Sequence, residues 1–165
     1  MMVVVVILGL IVLGLVTFFT GGAKSWVAGQ SQLEAQRNAR QAMDIMVREI
    51  REGKNVKTSS ASNLILFITP FDGSPDIKYH LSNGTLYRNT TNAIIDNILN
   101  LSFTYFDNNG KQICDESGIP INPLVDSADA SKVSKVHILL EVDVDNDGKP
   151  DITLNTDVNL RNYGL

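Results

Sequence analysis

The first twenty residues of this chain contain no charged side chain, and nearly all of them are valine, isoleucine, leucine, phenylalanine, methionine or glycine. A helix needs about 20 apolar residues to cross the hydrocarbon core of a bilayer, so residues 1–20 are long enough to span a membrane. A cleaved secretory signal fits less well, because it has a basic beginning, a shorter apolar core and a small-residue cleavage site. A buried core helix is also disfavoured, since a chain of 165 residues has little mass with which to cover a helix on every side.

Residues 24–52 are predicted to continue as an amphipathic helix, because they contain no proline and are rich in Ala, Gln, Glu and Arg. Small and apolar side chains recur in this stretch at spacings of three and four residues: Ala35, Ala39, Ala42, Met43, Met46 and Ile50. That stripe must pack against another element. Gly53 is predicted to end the helix in the left-handed conformation. A helix of about 50 residues would be about 75 Å long.

The rest of the chain is predicted to be rich in β-strands, which follow a polar linker that includes Thr58 and Ser62. The predicted strands are 64–69, a hairpin of 77–81 and 85–89 around Asn83 and Gly84, a second hairpin of 101–106 and 111–114, and 136–144 and 152–160. Residues 115–132 are predicted to form a loop. The last two strands alternate apolar and polar residues, so one face of their sheet is buried, and we expect the helix stripe to cover it.

We therefore predict an α+β fold in which a long N-terminal helix, first transmembrane and then amphipathic, packs on an antiparallel β-sheet head. The predicted divisions are a transmembrane segment at 1–22, the amphipathic continuation of the helix at 23–53 and a globular head at 54–165. About 140 residues remain without the anchor, which is the size of one domain.

The loop at 143–151 reads DVDNDGKPD and carries four carboxylates at its first, third, fifth and ninth positions: Asp143, Asp145, Asp147 and Asp151. Calcium takes several oxygen ligands on a tightly turned backbone, and these four residues are the candidate ligands. The spacing resembles the DxDxDGxxD calcium loops of extracellular proteins and the first half of an EF-hand, although Leu154 stands where an EF-hand has its bidentate glutamate. The alternative is an acidic hairpin turn without a metal, since turns favour Asn, Asp and Gly.

Several functional classes are disfavoured by the composition. A net charge of −4 with interspersed signs offers no basic face for nucleic acid, so we expect no nucleic-acid contact by the head. Cys114 is the only cysteine, so there is no intrachain disulfide and no cysteine pair for zinc. His80 and His137 are predicted to lie on the surfaces of different strands, and no catalytic group of residues can be recognised. We therefore do not expect an enzyme, a catalytic residue or an organic cofactor.

These residues resemble type IV pilin-like proteins. The apolar run at 1–9 is similar to the segment that follows the processing site in that family. More specific similarity to minor pilins of the W type and to pseudopilin J of type II secretion lies in the segments ARQAMD at 39–44, REIR at 48–51, IKYHL at 77–81, GTLYRN at 84–89, LSFTYF at 101–106 and LRN at 160–162.

The resemblance implies a structural subunit that initiates or caps assembly of a type IV pilus or a type II secretion-like filament. Its partners would be other pilin or pseudopilin subunits through the N-terminal helix, the inner-membrane assembly machinery and membrane lipid. The subunit would sit in the inner membrane with its head outside the cytoplasm, and after assembly in a surface or periplasmic filament. The alternative is a single-pass surface binding protein that does not enter filaments and that binds calcium or another ligand.

The family's basic leader, its glycine before the cleavage site and its early glutamate are not found ahead of the apolar run. We expect the native start to lie upstream of Met1. The alternative is an unprocessed anchor, without peptidase cleavage or N-methylation.

Overall fold

The computed structural model describes residues 2–57, 65–114 and 130–162. One long helix, α1 (Met2–Glu52), is followed in the described ranges by the strands β1 (Gly53–Lys57), β2 (Ile65–Pro70), β3 (Ile77–Ser82), β4 (Thr85–Arg88), β5 (Asn92–Ile95), β6 (Ile98–Phe106), β7 (Lys135–Val142) and β8 (Ile152–Asn159). All strand pairs are antiparallel. The predicted α+β class is confirmed. The predicted linker at 58–64 and most of the predicted loop, 115–129, lie outside the described residues.

The chain divides into two compact units, Met1–Ala35 and Gln36–Leu165. We call the second the head unit. In the first unit, the large apolar side chains between Val3 and Phe19 are 51–76% exposed. The helix is long and apolar enough to cross a membrane. The hydroxyl groups of Thr17 and Thr20 donate to backbone carbonyls one turn earlier, so the polar atoms of these threonines are satisfied within the helix.

Within the head unit, the predicted stripe of α1 is buried. Its members are at most 7% exposed: Ala39, Ala42, Met43, Met46 and Ile50. Ala35, which was also assigned to the stripe, is only half-buried. The helix ends at Glu52, as Gly53 predicts, but Gly53 does not adopt a positive φ and instead begins β1. A Cβ atom at Gly53 would overlap the side-chain Cγ2 of Ile68, so any larger residue would have to displace that side chain.

In the part of the chain that the structure describes, the strands form two sheets. A five-stranded sheet has the order β1-β2-β3-β4-β5, and a three-stranded sheet has the order β6-β7-β8. The hairpin of β3 and β4 is confirmed, with Asn83 and Gly84 at φ 50° and 73° in its turn. The short strands β1 and β5 were not predicted.

The predicted second hairpin is present in part: residues 111–114 form no assigned strand, but the Ile113 N–H donates to the Tyr105 carbonyl at 2.9 Å. β6 pairs along its length with β7, and Gln112 forms only an isolated bridge with Phe106. The turn between them does exist, since the Asp107 carboxylate accepts the backbone N–H groups of Asn109 and Lys111. β6 pairs with β7 through one of its edges, and the bridge from Phe106 to Gln112 lies on the other edge.

The last two strands are confirmed as β7 and β8, with register running from Lys135 opposite Asn159 to Val142 opposite Ile152. Alternate residues of β7 are buried, as the pattern predicts. A backbone hydrogen bond joins the two sheets, because the Ile98 N–H at the start of β6 donates to the Gly84 carbonyl in the β3–β4 turn. The Asp143 N–H donates to the Asn97 carbonyl and so extends the pairing of β6 with β7. These two bonds place the acidic loop beside the β3–β4 turn.

Candidate functional site

The acidic loop connects β7 and β8, which fixes where its first and last aspartates lie. Val142 and Ile152 are paired across the two strands, so Asp143 and Asp151 leave the sheet side by side. Between them the chain reverses through Asn146 and Gly148, at φ 59° and 82°. Asn and Gly are residues that accept a positive φ, so the sequence specifies this tight turn locally.

Three of the four predicted ligands come together. Asp143, Asp145 and Asp151 each offer one carboxylate oxygen, and these oxygens lie within 4.8 Å of one another. Asp143 is 6% exposed, whereas the other two are exposed. The Asp147 carboxylate is not part of this group, and its Oδ1 accepts the backbone N–H of Lys149 at 2.8 Å. We call Asp143, Asp145 and Asp151 the aspartate triad.

The same carboxylates are bound by the backbone of their own loop. Asp143 accepts the N–H groups of Gly148 at 2.8 Å and Asp147 at 3.2 Å. Asp145 accepts the Asp147 N–H at 3.1 Å, and Asp151 accepts the N–H of Val144 at 2.8 Å. These bonds account for the turn without a metal. A carboxylate has about four lone-pair sites, however, so the aspartate triad keeps lone pairs for a cation.

The pKa of Asp145 is affected by the carboxylates that lie close to it. The hydrogen bond from the Asp147 backbone lowers the pKa of Asp145, but lost hydration and the neighbouring carboxylates outweigh it, so the net shift of the pKa is upward. The carboxylates that repel it are those of Asp147, Asp151 and Asp143. A cation at the aspartate triad would relieve this repulsion. The triad could therefore hold a metal ion.

A second charged cluster, which no sequence pattern indicated, joins α1 to the five-stranded sheet. Glu49 on α1 accepts a hydrogen bond from the hydroxyl of Tyr79 on β3. The single Nε–H of Arg88 on β4 is shared between the two carboxylate oxygens of Glu49, each 3.0 Å from Nε. We call these three residues the Glu49 cluster. Tyr79 is fully buried, and the side chain of Glu49 is 13% exposed.

Burial and the adjacent Glu49 carboxylate raise the pKa of Tyr79, so its hydroxyl stays protonated as a donor. The hydrogen bond to Glu49 raises the pKa of Arg88, which is charged in any case. The cluster anchors α1 against β3 and β4. Tyr79 and Arg88 lie 30 and 39 residues from Glu49 in sequence.

The contacts of the two histidines and the cysteine indicate structural roles. His80 stacks on Tyr87 with ring centroids 5.3 Å apart, and burial lowers its pKa, with Lys78 adding to the effect. His137 Nδ1 lies 2.6 Å from an oxygen of Asp157 on the neighbouring strand. Cys114 is half-buried with a free thiol. The two histidines lie on different strands, β3 and β7, as the sequence predicts.

Comparison of the chain with protein-family models and with curated proteins gave no match. Its function is therefore inferred from its own residues and contacts.

Proposed function

We propose that this chain is a minor pilin or pseudopilin, a structural subunit that initiates or caps a type IV pilus or a type II secretion-like filament. The observation that carries the proposal is the apolar part of α1. Its uncharged residues 3–20 are exposed along their whole length, and the same helix supplies the buried stripe of the head unit.

A helix that is apolar on all sides is stable only in lipid or among other apolar helices. A filament subunit needs both environments in turn, because it waits in the inner membrane and then packs its helix into a fibre. A plain anchor needs only lipid. The partners that follow from this are other subunits of the filament, the inner-membrane assembly machinery and lipid, with the head outside the cytoplasm.

The residues that carry the pilin resemblance also support the proposal. The segments at 48–51, 77–81 and 84–89 each contribute one member of the Glu49 cluster, which holds the helix to the sheet. A subunit pulled out of the membrane by its helix must transmit that force to its head. An ion pair and a buried tyrosine at this junction provide such a connection, and we propose a structural role rather than catalysis.

The test combines gene deletion with crosslinking. Deletion should abolish or sharply reduce filaments, and the wild-type gene should restore them. For crosslinking, the natural thiol is removed by Cys114→Ala, which leaves the chain without cysteine, and a new thiol is placed in the helix by Val12→Cys. Val12 is 56% exposed. Crosslinks to other filament subunits are expected. Normal filaments after deletion, together with no crosslinks from Val12→Cys, would contradict the proposal.

A second candidate function is favoured by the aspartate triad, namely calcium binding by a single-pass surface protein that stays out of filaments. Calcium should then raise the melting temperature of the full chain, and Asp145→Asn should reduce that shift. Asp107→Asn is the matched control, because Asp107 also caps a turn but lies outside the triad. Asp147→Asn separates the three-carboxylate site from the four-carboxylate set, since only the latter predicts a loss. An unchanged melting temperature with calcium would exclude this candidate.

A further inference from the structure

A cavity of about 580 Å³ opens on the head unit beside the last turns of α1. This volume lies in the range of sites that bind small ligands or single side chains with their neighbours. The cavity is distinct from the aspartate triad and is lined by α1, by the turn after β2 and by Arg88 of the Glu49 cluster. No function discussed above uses it.

An exposed aromatic ring lines this cavity. Phe71, in the turn after β2, is 55% exposed. Pro70, Pro75 and Ile77 extend the apolar part of the lining. A large aromatic side chain left in water within a concave site is suited to contact an apolar or cationic group.

The lining of the cavity carries more negative than positive side chains. It contains two arginines, Arg48 and Arg88, and three carboxylates, Glu49, Glu52 and Asp72, so its formal charge is −1. Glu49 and Arg88 are paired with each other. Arg48 and Glu52 are four residues apart on one helix, but within the described ranges no ion pair joins them.

Asp72 is the carboxylate of the lining that does not lie on α1. Its Oδ1 accepts the backbone N–H of Ser74 at 2.9 Å, and within the described ranges no basic side chain forms an ion pair with it. Nearby Asp76, by contrast, binds the Nζ of Lys57 at 2.5 Å. The Ser74 hydrogen bonds lower the pKa of Asp72, so it remains ionised at neutral pH.

We propose that this cavity binds the side chain of a lysine or arginine presented by an extended segment of a partner protein. The cationic group sits at Asp72, and the methylene stem lies against Phe71 and Pro75. Lysine and arginine combine an apolar stem with a charged end, which matches an aromatic wall next to a lone carboxylate. An anionic side chain would meet net negative charge, and a bare metal ion would leave the ring of Phe71 without a contact. The proposal does not depend on a role in filaments.

The test uses the full chain in nanodiscs of zwitterionic phosphatidylcholine, so that the membrane adds no net charge. Blocked peptides acetyl-Gly-X-Gly-amide, with X as lysine, arginine, norleucine or glutamate, are titrated by calorimetry. Lysine and arginine peptides should bind at least about fivefold more tightly than the norleucine peptide, which has a stem of similar length but no charge. Added salt should weaken their binding.

Two exposed residues provide variants that should leave the fold unchanged. Asp72→Asn keeps the turn acceptor for Ser74 but should reduce lysine-peptide binding to the norleucine level. Phe71→Ala should weaken it about two- to fivefold. Asp107→Asn is the control, because Asp107 caps another turn outside the cavity, and it should bind like the wild type.

The proposal is overturned if norleucine binds as tightly as lysine, if the glutamate peptide binds best, or if Asp72→Asn keeps full affinity. A lysine peptide that gives no binding at millimolar concentration also overturns it. n-Butylammonium is titrated in parallel. If this free amine binds as tightly as the lysine peptide, the cavity takes small amines and the assignment to a peptide partner is overturned.

Discussion

Removal of the Glu49 carboxylate should expose how strongly α1 depends on its contact with the five-stranded sheet. In Glu49→Ala, the hydroxyl of fully buried Tyr79 loses its acceptor. A buried polar group without a partner costs about 1–3 kcal/mol. The cost at Arg88 is smaller, because its side chain is 31% exposed and can be hydrated once Glu49 is removed. Loss of this ion pair should add about 0.2–1 kcal/mol to the destabilisation. The free energy of unfolding of the head should therefore fall by about 1.2–4 kcal/mol.

Glu49→Ala should lower the free energy of unfolding by less in a chain that already lacks the Tyr79 hydroxyl. In a Tyr79→Phe background, Glu49→Ala should cost only the Arg88 part, about 0.2–1 kcal/mol. A double-mutant cycle should therefore give a coupling energy of about 1–3 kcal/mol between Glu49 and Tyr79. Tyr87→Phe is the matched control. Tyr87 is paired with His80 on the neighbouring strand and stacks on its ring, so loss of its hydroxyl should change the stability by less than about 0.5 kcal/mol.

The assay must report on the head rather than on the apolar helix. The only tryptophan, Trp26, is 70% exposed and lies in the first unit, so its fluorescence does not follow unfolding of the sheets. Hydrogen–deuterium exchange of the β3 and β4 amides, followed by mass spectrometry, measures the local opening free energy instead. The reasoning is refuted if the effects of Glu49→Ala and Tyr79→Phe add in full, or if Glu49→Ala costs no more than Tyr87→Phe.

Three further predictions concern packing and pH. Met46→Ala should lower the head's free energy of unfolding by about 2–4 kcal/mol, because Met46 is fully buried, and thermal unfolding followed by circular dichroism measures this loss. Gly53→Ala should cost about 1–3 kcal/mol through overlap with Ile68, whereas Gly29→Ala, in open space on the helix, should be neutral or slightly stabilising; denaturant titration compares the two. The lowered pKa of His80 means that the folded state favours its neutral form, so the stability it contributes is present above its unfolded pKa and is lost as the pH falls through its folded pKa. His80→Gln should flatten the slope of stability against pH below about 6.5, and an unchanged slope in exchange of the β3 amides would contradict this.

The Glu49 cluster is a feature that the sequence pattern does not predict. The pattern at 39–50 identifies which face of α1 is buried, because the spacing of apolar residues along a helix is a local property. Which sheet that face meets depends on how strands pair over long distances. Glu49 lies on the polar side of the pattern, and nothing near it in sequence indicates that a tyrosine 30 residues later would bind it.

The conformation of the acidic loop is likewise predicted only in part by its sequence. The order of aspartates and the glycine predicts a tight turn with carboxylates close together, and the aspartate triad agrees. The direction of the Asp147 side chain was not predictable, because it depends on which backbone N–H groups each carboxylate accepts once the loop is closed.

By itself, the sequence determined an uncharged helix able to enter a membrane, a buried stripe on its continuation, the Asn83-Gly84 hairpin and the alternation of the last two strands. Each of these follows from residues that are neighbours in the chain, through helical or strand periodicity and through turn chemistry. Only the tertiary structure decided the division into two sheets, the pairing of β6 with β7, the Glu49 cluster and the cavity beside Phe71. These features join residues far apart in sequence, and they depend on register and side-chain packing in the completed fold, which no local pattern encodes.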